Sequence, residues 1–507
     1  MKKFFLKYHY LLLVLVISFT FFSRIIRLHV PERYVFDEVY HALTSKLIAR
    51  NDVRAYEWWN KPVEKDTAVD WLHPPYAKYT QAFFIKMYGE NSFGWRISSV
   101  IFGVLVIMMV YKLSLELFED KNLSLLATLL ASLDGLLLVQ SRIAMNDIHV
   151  TFFILLTLLL YVRYKKYKKL YLLLLTGLSA GLAIGTKWSG VFALLTVGFF
   201  ESIHYLQLIL KRIKEKKFNN KIKNNIANFF AILNLKYFSI LFFSLIILPL
   251  SMYLLSYSHM FIQGKSLICL QQESIRGECY FERIQLGEWK WEGYISHFAE
   301  LHRQIWWYQT NLEATHSYQS RPYQWFLNLK PVWIHVDYQK DKIANIYSQG
   351  NSVLFWIGDI AVATTLLTYL LSYTAKIVLF ISSKVKLFKK VKKIQLMKRL
   401  AKIKLPKYLG FLIFAYFAVW LPWQLSPRIM FFYHYTPAIP LLSIILAYWL
   451  TKVADFKLKK FNLGKVIVTT VIILSGLNFI VFYPNWTAIP VDKDWANNIY
   501  FAIKSWK

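Results

Sequence analysis

The sequence predicts an all-α integral membrane protein with about eleven transmembrane helices. Three observations predict it. The 507 residues are 56% hydrophobic and 18% aromatic, with mean hydropathy +0.36, which is too apolar for an ordinary soluble domain. Apolar runs close to the roughly 20 residues that a bilayer crossing needs recur along the whole length. Lysine and arginine crowd into every second gap between those runs, the arrangement that keeps basic loops on the cytoplasmic side.

The spans fall near 9–27, 93–112, 122–140, 147–162, 169–186, 188–208, 236–257, 352–381, 407–424, 434–451 and 465–483. With Lys2, Lys3 and Lys7 inside, each crossing alternates sides. The basic gaps from Arg163 to Lys169, Lys211 to Lys223, Lys384 to Lys407 and Lys452 to Lys465 then all fall inside, and the tail from Pro484 falls outside. No small-residue cleavage site follows the first run, so it reads as a retained anchor. Two long outer loops remain, 28–92 and 258–350, within a single membrane-embedded domain. In the first, Tyr76 to Tyr88 is broken by Lys78 and Lys86 and reads as a short interfacial helix. The second carries nine Lys plus Arg and nine Asp plus Glu, unlike the basic inner loops. It is expected to cover the outer mouth of the bundle.

Other compositional features exclude whole classes. A net charge of +32 suits a nucleic-acid binder, but here it lies between spans, so no nucleic-acid partner is expected. Cys269 and Cys279 could close a small disulfide loop or stay reduced. No phosphate-cradling glycine loop, dinucleotide fingerprint or HExxH motif occurs, and no full metal-ligand set is recognisable, so no metal is assigned. No internal repeat of the transporter type is visible.

The polar chemistry gathers in the outer gaps. Asp37-Glu38 reads equally well as a general base beside a lipid-linked substrate or as a salt-bridged pair opening a helix. His73-Pro74-Pro75 with Lys78 could face a phosphate or form a rigid turn with a snorkelling lysine. Arg96, Arg142 and Asp147 sit at span boundaries, where charges are paired or used. Lys187 follows the Gly177, Gly181, Gly185 series, whose spacing suits helix packing. His316, Ser320, Arg321 and Trp325 lie in a stretch dense in hydroxyls and aromatics. Arg428, His434 and Tyr435 lie in a proline-bounded aromatic run, and arginine suits phosphate through its fork of donors.

These pieces, taken in order, resemble the protein O-mannosyltransferase family. The matching segments are Phe36-Asp37-Glu38-Val39, His73-Pro74-Pro75 with Lys78, Phe93-Gly94-Trp95-Arg96, Ser141-Arg142 with Asp147, Gly185-Thr186-Lys187-Trp188, His316 through Trp325, Gly350-Asn351, and Leu421 through Pro440. The resemblance implies a GT-C glycosyltransferase fold and transfer of mannose from polyprenyl-phosphate-mannose to Ser or Thr of exported proteins. It makes Asp37 and Glu38 the catalytic pair. Around ninety residues in the second loop leave no room for the added β-trefoil domain of eukaryotic members, so the chain looks bacterial in type, in a cytoplasmic membrane with its site outside. The export machinery is a further expected partner. On that reading Asp37 takes the acceptor proton and Glu38 orients the acceptor or the base. Arg428, then Lys187, Arg142, His434 and Tyr435, meet the donor phosphate. His73, Lys78, Arg96, Asp147, His316, Ser320, Arg321 and Trp325 bind substrate. The competing expectation is transfer of another sugar to a lipid such as lipid A; a lipid-linked sugar transporter is weaker, because polar residues do not line the spans.

Overall fold

The computed structural model describes residues 8–56, 63–218, 234–262, 265–268, 280–283, 291–384, 393–403 and 405–506. The expected alternatives for Cys269 and Cys279 fall outside the described residues. The first half runs through α1 (His9–Ile25), α2 (Glu38–Ala49), α3 (Tyr76–Tyr88), α4 (Ser92–Phe118), α5 (Lys121–Ser132), α6 (Gly135–Gln140), α7 (Asp147–Tyr167), α8 (Leu170–Ile184), α9 (Val191–Phe218) and α10 (Leu235–Ser256). The second half holds α11 (Trp291–Asn311), α12 (Ser352–Lys384), α13 (Lys407–Ala418), α14 (Ala438–Val453) and α15 (Leu463–Trp486).

Local chemistry sets the helix ends. Asn91 caps α4 by accepting the Gly94 N–H at 3.0 Å, and α4 stops at Glu119 in a left-handed conformation. Asp120 then accepts from the N–H groups of Asn122 and Leu123 and starts α5 at once. Close packing follows small residues. A Cβ on Gly177 would lie 1.8 Å from the Ser244 carbonyl oxygen, so α8 and α10 meet backbone to backbone there.

Among the described residues, seven helical stretches are long and apolar enough to cross a bilayer, and α1, α8 and α14 are shorter apolar helices. The expected span at 122–140 differs from what is observed. It is broken between α5 and α6 at Leu133 and Asp134, because the buried Asp134 carboxylate needs donors. It takes the N–H groups of Leu137 at 2.8 Å and Asn351 at 3.0 Å. Pro422 clips α13 into a 3₁₀ turn over Leu421–Leu425, and Pro437 delays the start of α14. Leu366, Leu367, Leu370, Ile377 and Phe380 of α12 are exposed together, a stripe that a bilayer covers.

The helical expectation gains two small sheets. β1 (Lys265–Ile268) pairs with β2 (Tyr280–Arg283). β3 (Val332–Tyr338) and β4 (Lys342–Ser348) form an antiparallel hairpin, Val332 opposite Ser348 and Tyr338 opposite Ile343, with a bulge between Trp333 and His335. β5 (Val491–Asp492) adds to β4, giving the order β3–β4–β5. The alternation of Val332, Ile334 and Val336 with polar or aromatic neighbours is the signal for this hairpin.

Candidate active site

Asp37 and Glu38 are adjacent, yet their environments are opposite. Phe36 takes φ 48°, an uncommon conformation for an aromatic residue, and Asp37 follows at the N-cap of α2. Glu38 is fully buried. Its oxygens accept from Arg96 Nε and Nη2, both at 2.8 Å, from the Ala144 N–H at 2.9 Å and from the Val35 N–H at 3.0 Å. Every strong acceptor direction is filled, so Glu38 clamps the first loop onto α4 and does not face substrate. Arg96 also binds the carbonyls of Leu28, Pro31 and Arg33, which corrects its expected substrate contact.

Asp37 is only half-buried and, among the described residues, has no cationic side chain in salt-bridge contact. The Tyr433 hydroxyl lies 3.4 Å from its Oδ2. Phe36 meets Phe431 and Tyr433 edge-on, each at 5.9 Å between ring centres, and His316 at 6.5 Å. Lys187 Nζ sits 5.6 Å over the Tyr433 ring and 2.8 Å from Asp147 Oδ1. Arg428 is half-buried, binds Gln309 Oε1 and the Ile429 carbonyl, and has no acidic partner among the described residues. Burial pushes the Asp37 carboxyl above its ordinary value; His41 opposes this, Asp70 adds to it, and Lys187 opposes it again. His434 is buried and, with Lys187 and Arg428 nearby, held well below its ordinary value, so it is neutral at pH 7. Its Nδ1 is in hydrogen-bond range of the Phe431 carbonyl, and its ring stacks on Trp325.

A second group joins α2 to α3. Asp70 lies 2.7 Å from His41 Nδ1, 3.0 Å from His73 Nδ1 and 2.7 Å from Lys78 Nζ. Burial alone would raise Asp70, but Lys78, His73 and His41 together hold it well below the carboxylate range. His73 falls to about 4, driven by burial against the pull of Asp70. Lys78 is buried and ion-paired, so it does not snorkel. His41, Asp70 and His73 bring ligand atoms within 4.8 Å of one another, the spacing of a metal site. Lys78 already supplies the positive charge there, and a divalent ion would have to displace it.

Other expected site residues make contacts within the protein. Arg142 donates to the carbonyls of Arg24 at 2.6 Å, Ile26 at 2.8 Å and Arg27 at 3.2 Å, closing the C-terminal end of α1. Tyr435 is fully buried and shares a hydrogen bond with Tyr416 in the bundle interior. Ser320 accepts from Trp325 Nε1 at 2.9 Å, and its N–H binds the Met430 carbonyl, so both residues tie the large loop to the 430 segment. Arg321 is exposed and binds the Ser426 carbonyl at 3.2 Å. The residues missed by sequence reasoning are His41, Asp70, Tyr433 and Gln309. Asp70 stands three residues before His73, which was a usable signal; Tyr433 was hidden among the aromatics around it.

Comparison with known proteins identifies the family and the fold. Residues 14–262 match the model of the dolichyl-phosphate-mannose-protein mannosyltransferase family, and residues 294–506 match the C-terminal four-transmembrane region of protein O-mannosyltransferase. The chain belongs to this family. It is 21% identical to a polyprenol-phosphate-mannose–protein mannosyltransferase of Mycolicibacterium smegmatis over 93% of this chain and 87% of that one. A Corynebacterium glutamicum relative of the same name is 26% identical, and the match spans 52% of each chain. The S. cerevisiae protein O-mannosyltransferase Pmt1–Pmt2 complex bound to its sugar donor superimposes with TM-score 0.69 at 15% identity, covering 96% of this chain and 91% of that one. The fold is the GT-C fold of membrane glycosyltransferases.

Proposed function

We propose that the protein moves mannose from polyprenyl-phosphate-mannose to a Ser or Thr hydroxyl of an acceptor polypeptide, at the outer face of a bacterial cytoplasmic membrane and in reach of exported chains. The observation that carries this reading is the contrast between a clamped Glu38 and an open Asp37 set beside Tyr433, with Lys187 and Arg428 close by. Asp37 accepts the hydroxyl proton as the oxygen attacks the anomeric carbon. Its raised pKa favours that transfer. The carbon–phosphate oxygen bond breaks, and negative charge grows on the leaving phosphate. Lys187 and Arg428 stabilise that charge, while neutral His434 can donate or accept without adding charge. Direct displacement from the face opposite the phosphate inverts the anomeric centre. On this reading His316, beside Phe36, and His73, beside Asp70, touch sugar or acceptor.

The test uses purified protein, radiolabelled polyprenyl-phosphate-mannose, and a threonine-containing peptide or a total lipid extract in parallel. Label should reach the peptide and be lost in Asp37→Asn. Label in lipid alone would overturn the acceptor assignment, and full activity in Asp37→Asn would overturn the mechanism.

A further inference from the structure

The cleft lined by Arg33 to Phe36, the residues that lead into Asp37, has room for a length of chain and an open hydrogen-bonding edge. Its volume is about 550 Å³, and Arg33, Tyr34, Phe36, Tyr318, Trp333 and His335 line it. That volume lies within the roughly 300–1,000 Å³ of ligand clefts. One wall is the loop that ends at Asp37. The other wall is β3, the edge strand of its sheet. On its free side, β3 has no backbone partner among the described residues. Exposed edges are templates for strand pairing, and proteins blunt them with charged residues, proline, bulges or a covering element. β3 carries one bulge, between Trp333 and His335, and one charge, Asp337, but no lysine or proline, and no strand or helix pairs with its free edge among the described residues. Aromatic rings continue from the site to this edge: Phe36 to His316 at 6.5 Å, His316 to Tyr318 at 5.8 Å, and Tyr318 to Trp333 at 6.2 Å.

We propose that the acceptor polypeptide lies in this cleft as an extended segment, hydrogen-bonded to β3 as an added strand. The inference rests on the reading above that the acceptor is a protein. A row of unpaired N–H and C=O groups matches a peptide backbone and offers nothing to an acyl chain. Side chains of an extended segment alternate between faces, so a hydroxyl-bearing residue can turn toward Asp37 while its immediate neighbours turn away. Specificity then comes from the residues two positions to either side, and backbone bonding accepts many sequences.

The experiment is an N-methyl scan along a short synthetic peptide carrying one central threonine, with the unmodified enzyme. Added-strand binding predicts an alternating pattern, in which every second N-methyl group raises the peptide KM about fivefold or more and the others change it little. Tyr338→Ala, at the exposed end of β3, should raise the peptide KM in the same assay and leave the donor KM unchanged. A flat or non-alternating scan with peptide still labelled overturns the strand and leaves the mannosyltransferase reading standing. Failure of the wild type to label any peptide, with label in lipid, overturns both.

Discussion

At the scale of single residues, the two neighbouring carboxylates should fail in different ways. Asp37→Asn should lower turnover by about 10² or more without moving the thermal midpoint, because a half-buried amide can keep the Tyr433 contact. Glu38→Ala strands the buried Arg96 and should cost about 3–5 kcal/mol, seen as a large fall in the thermal midpoint in detergent. The pH dependence follows from the sign of the Asp37 shift. The base works ionised, and its pKa is raised, so activity should fall as pH drops through a value above the ordinary carboxylate range. His73, with a pKa of about 4, stays neutral above that value, so it is not the group that titrates on the acid limb near neutrality. A kcat/KM profile checks this; an acid limb at the ordinary value of 3.8 would remove the burial argument. The sequence shows the acidic pair but not the division of labour. Adjacent residues at a helix start point in different directions, and only the positions of Arg96 and Ala144 reveal which one is closed.

At the scale of elements, helix contacts carry the framework that holds the site. Gly177→Leu would drive a side chain into the Ser244 carbonyl and separate α8 from α10. It should prevent accumulation of monodisperse protein, whereas the same change at Gly198, where a Cβ meets nothing, should be tolerated. Size-exclusion profiles of the two variants make the comparison. The glycine spacing made that contact readable in advance. The break at Asp134 was not readable, since the donor from Asn351 arrives from 217 residues away. The β3–β4 hairpin was readable in principle, through the alternation in Val-Trp-Ile-His-Val-Asp-Tyr, but a loop full of aromatics masks period two. Likewise Asp70 gains its meaning only when α2 and α3 bring His41 and Lys78 to it.

At the scale of the whole molecule, charge and apolar periodicity were enough to recognise a polytopic membrane protein, and motif order was enough to recognise its family. The site itself is assembled from far-separated stretches of chain, and that was legible only as a set of motifs, not as an arrangement. The contact between Tyr433 and Asp37 spans 396 residues. This has a consequence for biosynthesis. On the site proposed above, a ribosome that has released Asp37 and Lys187 has made nothing that works, because Arg428 and Tyr433 arrive only with the segment between α13 and α14. The enzyme is therefore born silent. On that site, competence arrives in one step, near the end of the enzyme's own insertion.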